Sequence, residues 1–65
     1  MKRRDLIRHL ERHGCLFHRE GSNHTVFINP IARKCSTIPR HREILIFTAK
    51  NICKDLDVPL PQNKS

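Results

Sequence analysis

Cys15-Leu16-Phe17-His18-Arg19-Glu20-Gly21-Ser22-Asn23-His24-Thr25-Val26-Phe27-Ile28 reads as two strands joined by a tight turn. Cys15, Phe17 and Arg19 alternate against Leu16, His18 and Glu20, and beyond the turn His24, Val26 and Ile28 alternate against Thr25 and Phe27. A period of two is that of a strand with one buried face. Gly21-Ser22 supplies the turn that joins the two runs into a hairpin. Asn29-Pro30 marks a second turn, Arg33-Lys34 suits its exposed tip, and Cys35 to Ile38 resumes a short strand that Pro39 ends. A three-stranded antiparallel sheet is therefore the expected centre of the fold.

Before this stretch the period is helical. Leu6, Ile7 and Leu10 fall on one side of a wheel and Arg4, Arg8 and Arg12 on the other, which predicts an amphipathic helix over residues 3–13. Gly14 stands where a left-handed C-cap residue belongs, and Arg12 and His13 suit the negative end of the helix dipole. After the sheet, Ile44-Leu45-Ile46-Phe47 fits a strand, a buried connector or the beginning of a helix, and is read as a packed connector, with Thr48 as the N-cap of a second helix over 49–56. Ala49, Ile52, Cys53 and Leu56 form its apolar face, and Lys50 and Lys54 lie on another. Pro59, Pro61 and the polar residues after them predict a disordered tail over 59–65. The chain thus reads as one α+β domain over residues 1–58. Its α-β-β-β-α order is that of double-stranded-RNA-binding domains, with both helices on one face of the sheet.

A chain of 65 residues buries one small core, which is marginal without a staple or a partner. Phe17 and Phe27 are assigned to that core. The three cysteines, Cys15, Cys35 and Cys53, are odd in number, widely spaced and preceded by no secretory signal. Reduced thiols and a cytoplasmic location are the expectation. No run approaches the length of a membrane span. The charge is lopsided: 13 Lys and Arg stand against 6 Asp and Glu, a net +7, so a polyanion is the natural partner.

In that setting His24 is the candidate for acid/base work on a phosphodiester. Imidazole, with a reference pKa of about 6.5, can take or give a proton near neutral pH. Taken as a residue alone, a solvated strand histidine is the simpler reading. His9 and His13 have the i, i+4 spacing of metal ligands but lack the zincin glutamate and a third ligand at a familiar spacing. The single cysteines read as small hydrophobes. No metal and no cofactor are expected.

Gly-Ser-Asn-His-Thr-Val-Phe at 21–27, Thr-Ile-Pro-Arg-His at 37–41 and the closing Thr-Ala-Lys-Asn-Ile-Cys-Lys-Asp-Leu-Asp-Val at 48–58 resemble the HicA toxin family. The resemblance covers nearly the whole chain. It implies a double-stranded-RNA-binding-like fold, mRNA cleavage by a histidine without a metal cofactor, and neutralisation by a HicB-type antitoxin. By position, His24 matches the family's catalytic histidine, Gly21, Ser22 and Asn23 the turn that presents it, and Pro39-Arg40-His41 a loop of the family pattern. The chain departs from that pattern at Cys15, where relatives often carry a large aromatic, and at Asp57, where they often have glycine. Both departures concern packing and capping.

The site read from the sequence has His24 as general acid or base, with Arg19 and Arg40 supplying charge to the phosphate. Ser22, Asn23, His41, Arg4, Arg8, Arg12 and Lys50 are expected to contact RNA. Acidic and apolar antitoxin groups are expected opposite Arg8, Arg40 and His24. A basic RNA-binding module of the same fold, without catalysis, is the alternative. DNA binding is weaker, since no recognition-helix pattern is visible.

Overall fold

Helix α1 spans Arg3–Arg12. It buries Leu6 and Leu10 and leaves Arg4, Arg8 and Arg12 in solvent, as its apolar spacing requires. Gly14 ends it at φ 89°, a left-handed conformation that glycine adopts without a Cβ penalty. The Gly14 N–H donates to the Glu11 carbonyl at 3.0 Å and the Cys15 N–H to the Leu10 carbonyl at 2.9 Å. These two bonds define a Schellman motif, and the buried pair Leu10 and Cys15 makes its hydrophobic contact. The turn converts the helix directly into the first strand.

The computed structural model describes residues 1–61. Strands β1 (Leu16–Glu20), β2 (His24–Asn29) and β3 (Lys34–Pro39) form one antiparallel sheet in the order β1-β2-β3. On the covered face lie Thr25, Phe27 and Asn29 of β2 with Ser36 and Ile38 of β3. Both helices sit on this face, and α2 (Ile46–Asp55) packs along β3. Arg3 of α1 reaches the Thr25 hydroxyl, the Asn29 amide donates to the Leu56 carbonyl just after α2, and Ser36 bonds Asp55. The α-β-β-β-α arrangement read from the sequence is the fold of the chain.

Four local readings need correction. Pro39 does not end β3 from outside but closes it, paired with His24 at the end of an edge strand, where a missing N–H is tolerated. Phe17 is not core: its ring meets Phe27 edge-on at 6.2 Å, yet 57% of it is exposed, because β1 lies at the sheet edge, where all five of its residues stay exposed. The second helix begins at Ile46, with Leu45 in the N-cap position and no side-chain cap, so Thr48 is inside the helix. The Ala49 N–H already donates to the Leu45 carbonyl at 2.9 Å. Of the connector, only Ile44 is fully buried, whereas Leu45 and Phe47 face solvent.

The early helix start has a cause outside the segment itself. Lys2 pairs with Glu43, the Ile44 N–H donates to the Met1 carbonyl at 2.7 Å, and the Arg3 N–H donates to the Arg42 carbonyl at 2.9 Å. This short antiparallel pairing pins residues 42–44 beside the start of α1 and inserts Ile44 into the core. The backbone is then free to turn helical at once. At the far end, Asp57 takes the left-handed position at φ 57°, with the Val58 N–H donating to the Cys53 carbonyl at 3.0 Å. That is a second Schellman motif, with aspartate where glycine is favoured. Of the expected disordered tail, Pro59 accepts a bond from the half-buried His9 Nε2 at 2.7 Å, and residues 62–65 lie outside the described residues.

Candidate active site

His24 is the first residue of β2 and follows a two-residue loop, Ser22-Asn23. The loop is closed by the Gly21 N–H donating to the His24 carbonyl at 2.7 Å. Glycine is favoured there by approach and not by dihedral angle: a Cβ on Gly21 would stand 3.2 Å from that carbonyl oxygen, closer than an ordinary contact. Because Thr25, the next residue, is buried against the helices, the pleat sends the exposed His24 to the opposite, helix-free face. Val26 and Ile28 follow it along that face, both half-buried.

A bulge decides what accompanies the histidine. Phe17 pairs with Phe27, but Arg19 pairs with Val26, so His18 is the extra residue. Simple alternation puts Arg19 on the Phe17 side; the bulge moves it to the face of Val26 and His24 and moves Glu20 to the face of Thr25. Sequence periodicity alone has no signal for this. The exposed Arg19 guanidinium and the His24 imidazole therefore share the open sheet face.

On the covered side of the same sheet end lies a polar chain. The Thr25 hydroxyl accepts from Arg3 Nη2 at 2.7 Å and donates to the Glu20 carboxylate, 3.2 and 3.1 Å from its two oxygens. Arg3 Nε donates to the Pro39 carbonyl at 3.0 Å. Glu20 Oε2 lies 3.0 Å from Arg40 Nε, and Arg40 Nη1 is 3.4 Å from the Ser22 carbonyl. Arg40 is thus attached to the loop that presents His24. Arg3, Glu20 and Thr25 were not singled out in the sequence, although Glu20 and Thr25 flank the Gly21-to-His24 turn symmetrically, and the hairpin register makes them partners.

The remaining candidates are dispersed. Ser22, Asn23 and His41 are exposed near the same sheet end. Arg4, Arg8, Arg12 and Lys50 are exposed on the helices and hence stand on the other layer of the molecule from His24. Arg8 and Arg12 line a groove of about 600 Å³ with His9, His13 and residues 59–61. His9 and His13 touch edge-on with ring centroids 4.7 Å apart. Among the described residues, no three His, Cys, Asp or Glu side chains converge as a metal centre. Cys15 and Cys53 are buried, and burial pushes both thiols up, that of Cys53 to about 11 with a further contribution from Cys15.

A basic α-β-β-β-α domain with a histidine and an arginine on the open face of its sheet belongs to the class of small double-stranded-RNA-binding-like folds. Within that class, the family model for the HicA toxin of bacterial toxin-antitoxin systems matches residues 3–58. The chain belongs to the HicA toxin family. No curated protein and no solved structure matches it. None of its described helices is long and apolar enough to cross a membrane.

Proposed function

We propose that this toxin is an endoribonuclease that cleaves mRNA without a metal cofactor, with His24 as its general acid or base. The observation that carries the reading is the placement of His24. It projects from a hydrogen-bonded turn onto a face that no helix covers, beside Arg19. A phosphodiester laid on that face meets an imidazole and a cation together. In the reaction, the 2'-hydroxyl loses its proton to a base and its oxygen attacks phosphorus. The P–O5' bond breaks, and the leaving oxygen takes up a proton. The products are a 2',3'-cyclic phosphate and a 5'-hydroxyl. Arg19 and Arg40 offset the extra negative charge of the five-coordinate phosphorus.

Family membership supports an RNA substrate and an antitoxin partner. We infer that a HicB-type antitoxin covers the open sheet face. Leu16, Val26 and Ile28 make the open face partly apolar, and Arg19 and His24 make its end basic. An antitoxin with apolar groups and carboxylates at matching positions hides the histidine and adds buried area to a small core.

The test is incubation of wild type and His24→Ala with a defined single-stranded RNA in excess EDTA, followed by analysis of the product ends. Cleavage by wild type alone, giving cyclic-phosphate ends, is the expected result. Loss of cleavage in chelator, or products with 5'-phosphate ends only, overturns the mechanism. Binding of RNA by both proteins with cleavage by neither reassigns the domain as a non-catalytic RNA-binding module.

A further inference from the structure

We propose that Glu20 is a positioning residue of this site, which holds the Arg40 guanidinium against the His24 loop; the inference rests on the ribonuclease reading. The geometry begins in the sheet register. Glu20 and Thr25 are the last pair of the β1–β2 hairpin before the turn, and both point to the helix side. Thr25 is buried, and its hydroxyl accepts from Arg3 while donating to the Glu20 carboxylate. Arg3 is itself fixed by the Pro39 carbonyl, one residue before Arg40. The carboxylate is therefore oriented from inside the molecule, through a side chain anchored in α1.

What it orients is the guanidinium. Arg40 Nε sits 3.0 Å from Glu20 Oε2 and Nη1 lies 3.4 Å from the Ser22 carbonyl. The contact to Glu20 is an ion pair, and only the one to Ser22 uses an N–H, so about four of the five guanidinium N–H groups remain as donors for phosphate oxygens. Arg40 stays about half exposed. Ser22 lies two residues before His24, so the contacts that fix the cation also fix the loop that carries the imidazole.

Electrostatics argue for positioning over simple charge. The chain has only 6 acidic residues, and one of them is beside a cation that the site needs. A bare carboxylate there repels RNA, and an exposed ion pair adds little stability, about 0 to 1 kcal/mol. Orientation is the gain that remains. Glu20 is not itself the acid or base, because Thr25 engages its carboxylate from the helix side, whereas His24 occupies the other face; Arg40 meets the carboxylate at the sheet end, beside the turn that carries His24.

The experiment is a double-mutant cycle of Glu20→Gln and Arg40→Ala, with Arg40→Lys as a third variant, measured as kcat, KM and RNA affinity in EDTA over a range of pH, below each protein's Tm. Removing a negative charge by Glu20→Gln is expected to leave RNA binding equal or tighter while kcat falls by about 10-fold or more. The pH profile should keep its shape. Arg40→Lys, which keeps the charge and loses the fork, should lower kcat as well. In the double variant the Glu20→Gln loss should vanish into that of Arg40→Ala. An unchanged or raised kcat in Glu20→Gln, additive effects in the cycle, or a displaced limb of the pH profile overturns the assignment. If wild type cleaves nothing, the ribonuclease reading fails separately, and the same cycle is read in RNA affinity. Coupling between the two sites then supports positioning of Arg40 for phosphate, and additivity refutes it.

Discussion

His24 is exposed on a strand whose next residue is buried, so its side chain contributes to the surface chemistry and little to the packing. His24→Ala should therefore lower RNA cleavage by about 10²- to 10⁴-fold, the usual worth of a general acid or base. Stability should change by no more than about 0.5 kcal/mol, as for most surface substitutions. A chemical melt run beside the cleavage assay checks the pair of outcomes, and a loss of activity that tracks a loss of stability would refute the catalytic role. The thiols make a second residue-scale prediction. Cys35 is exposed, whereas Cys15 and Cys53 are buried with raised pKa values, so an alkylating reagent at neutral pH should label Cys35 alone in the folded protein. The sign of the linked stability follows. Below the ordinary thiol value of 9.0, Cys53 is protonated both folded and unfolded; above it, the unfolded chain ionises first, so stability falls as pH rises towards about 11. Modification of all three cysteines at equal rates in the native state would show that the core is open.

Helix ends are where this chain departs from the local optimum. Asp57 sits at φ 57° in the Schellman position of α2, a conformation that costs an L residue more than glycine, and it places a negative charge just beyond the negative end of the helix dipole. Asp57→Gly should stabilise the domain by about 0.5 to 1 kcal/mol, which for a domain this small raises Tm by roughly 4–8 °C per kcal/mol. Leu45, 76% exposed in an N-cap position without a side-chain cap, is a matching site at the other end. Leu45→Ser should gain about 0.5 to 1 kcal/mol. Thermal melts of the two variants and their double decide both, and a lower Tm in either would contradict the cap geometry. These positions also show what the sequence discloses. The hydrophobic periods of 6–10 and 24–29 fix α1 and β2 because each faces one core, and Gly14 announces its own turn. Thr48 misleads because the start of α2 is set by the pairing of residues 1–3 with 42–44, a long-range contact with no local signature. The bulge at His18 is hidden for the same reason: an extra residue in an edge strand breaks no apolar pattern, since every residue of β1 is exposed. The place of His24 at the start of β2 was legible because a turn motif and a strand start coincide there, while its candidacy as acid or base came from the family resemblance; the Arg3, Thr25 and Glu20 chain emerges only from the register.

At the scale of the whole molecule the excess of cations governs both partners and stability. Net charge is +7 on 65 residues, and among the described residues the only Lys or Arg side chain in an ion pair is Arg40. Exposed arginines occur on both layers: Arg19 on the open sheet face, and Arg4, Arg8 and Arg12 on α1. The free protein is therefore under self-repulsion, which added salt relieves within a Debye length of about 10 Å at 0.1 M. RNA binding, driven by release of counterions, has the opposite salt dependence. Raising sodium chloride from about 50 to about 500 mM should thus raise Tm, through a stability gain of the order of 1 kcal/mol, while lowering RNA affinity linearly on a log–log plot. The slope should fall by about one when Arg19 is replaced by alanine, if its guanidinium meets a phosphate on the His24 face. Arg8→Ala, on the far layer, separates the two ways in which RNA can approach. An unchanged slope confines RNA to the open sheet face, and an equal fall extends the contact onto α1. A Tm that declines with salt would show that the positive charges are already compensated, and the electrostatic account of both stability and RNA binding would then fail together.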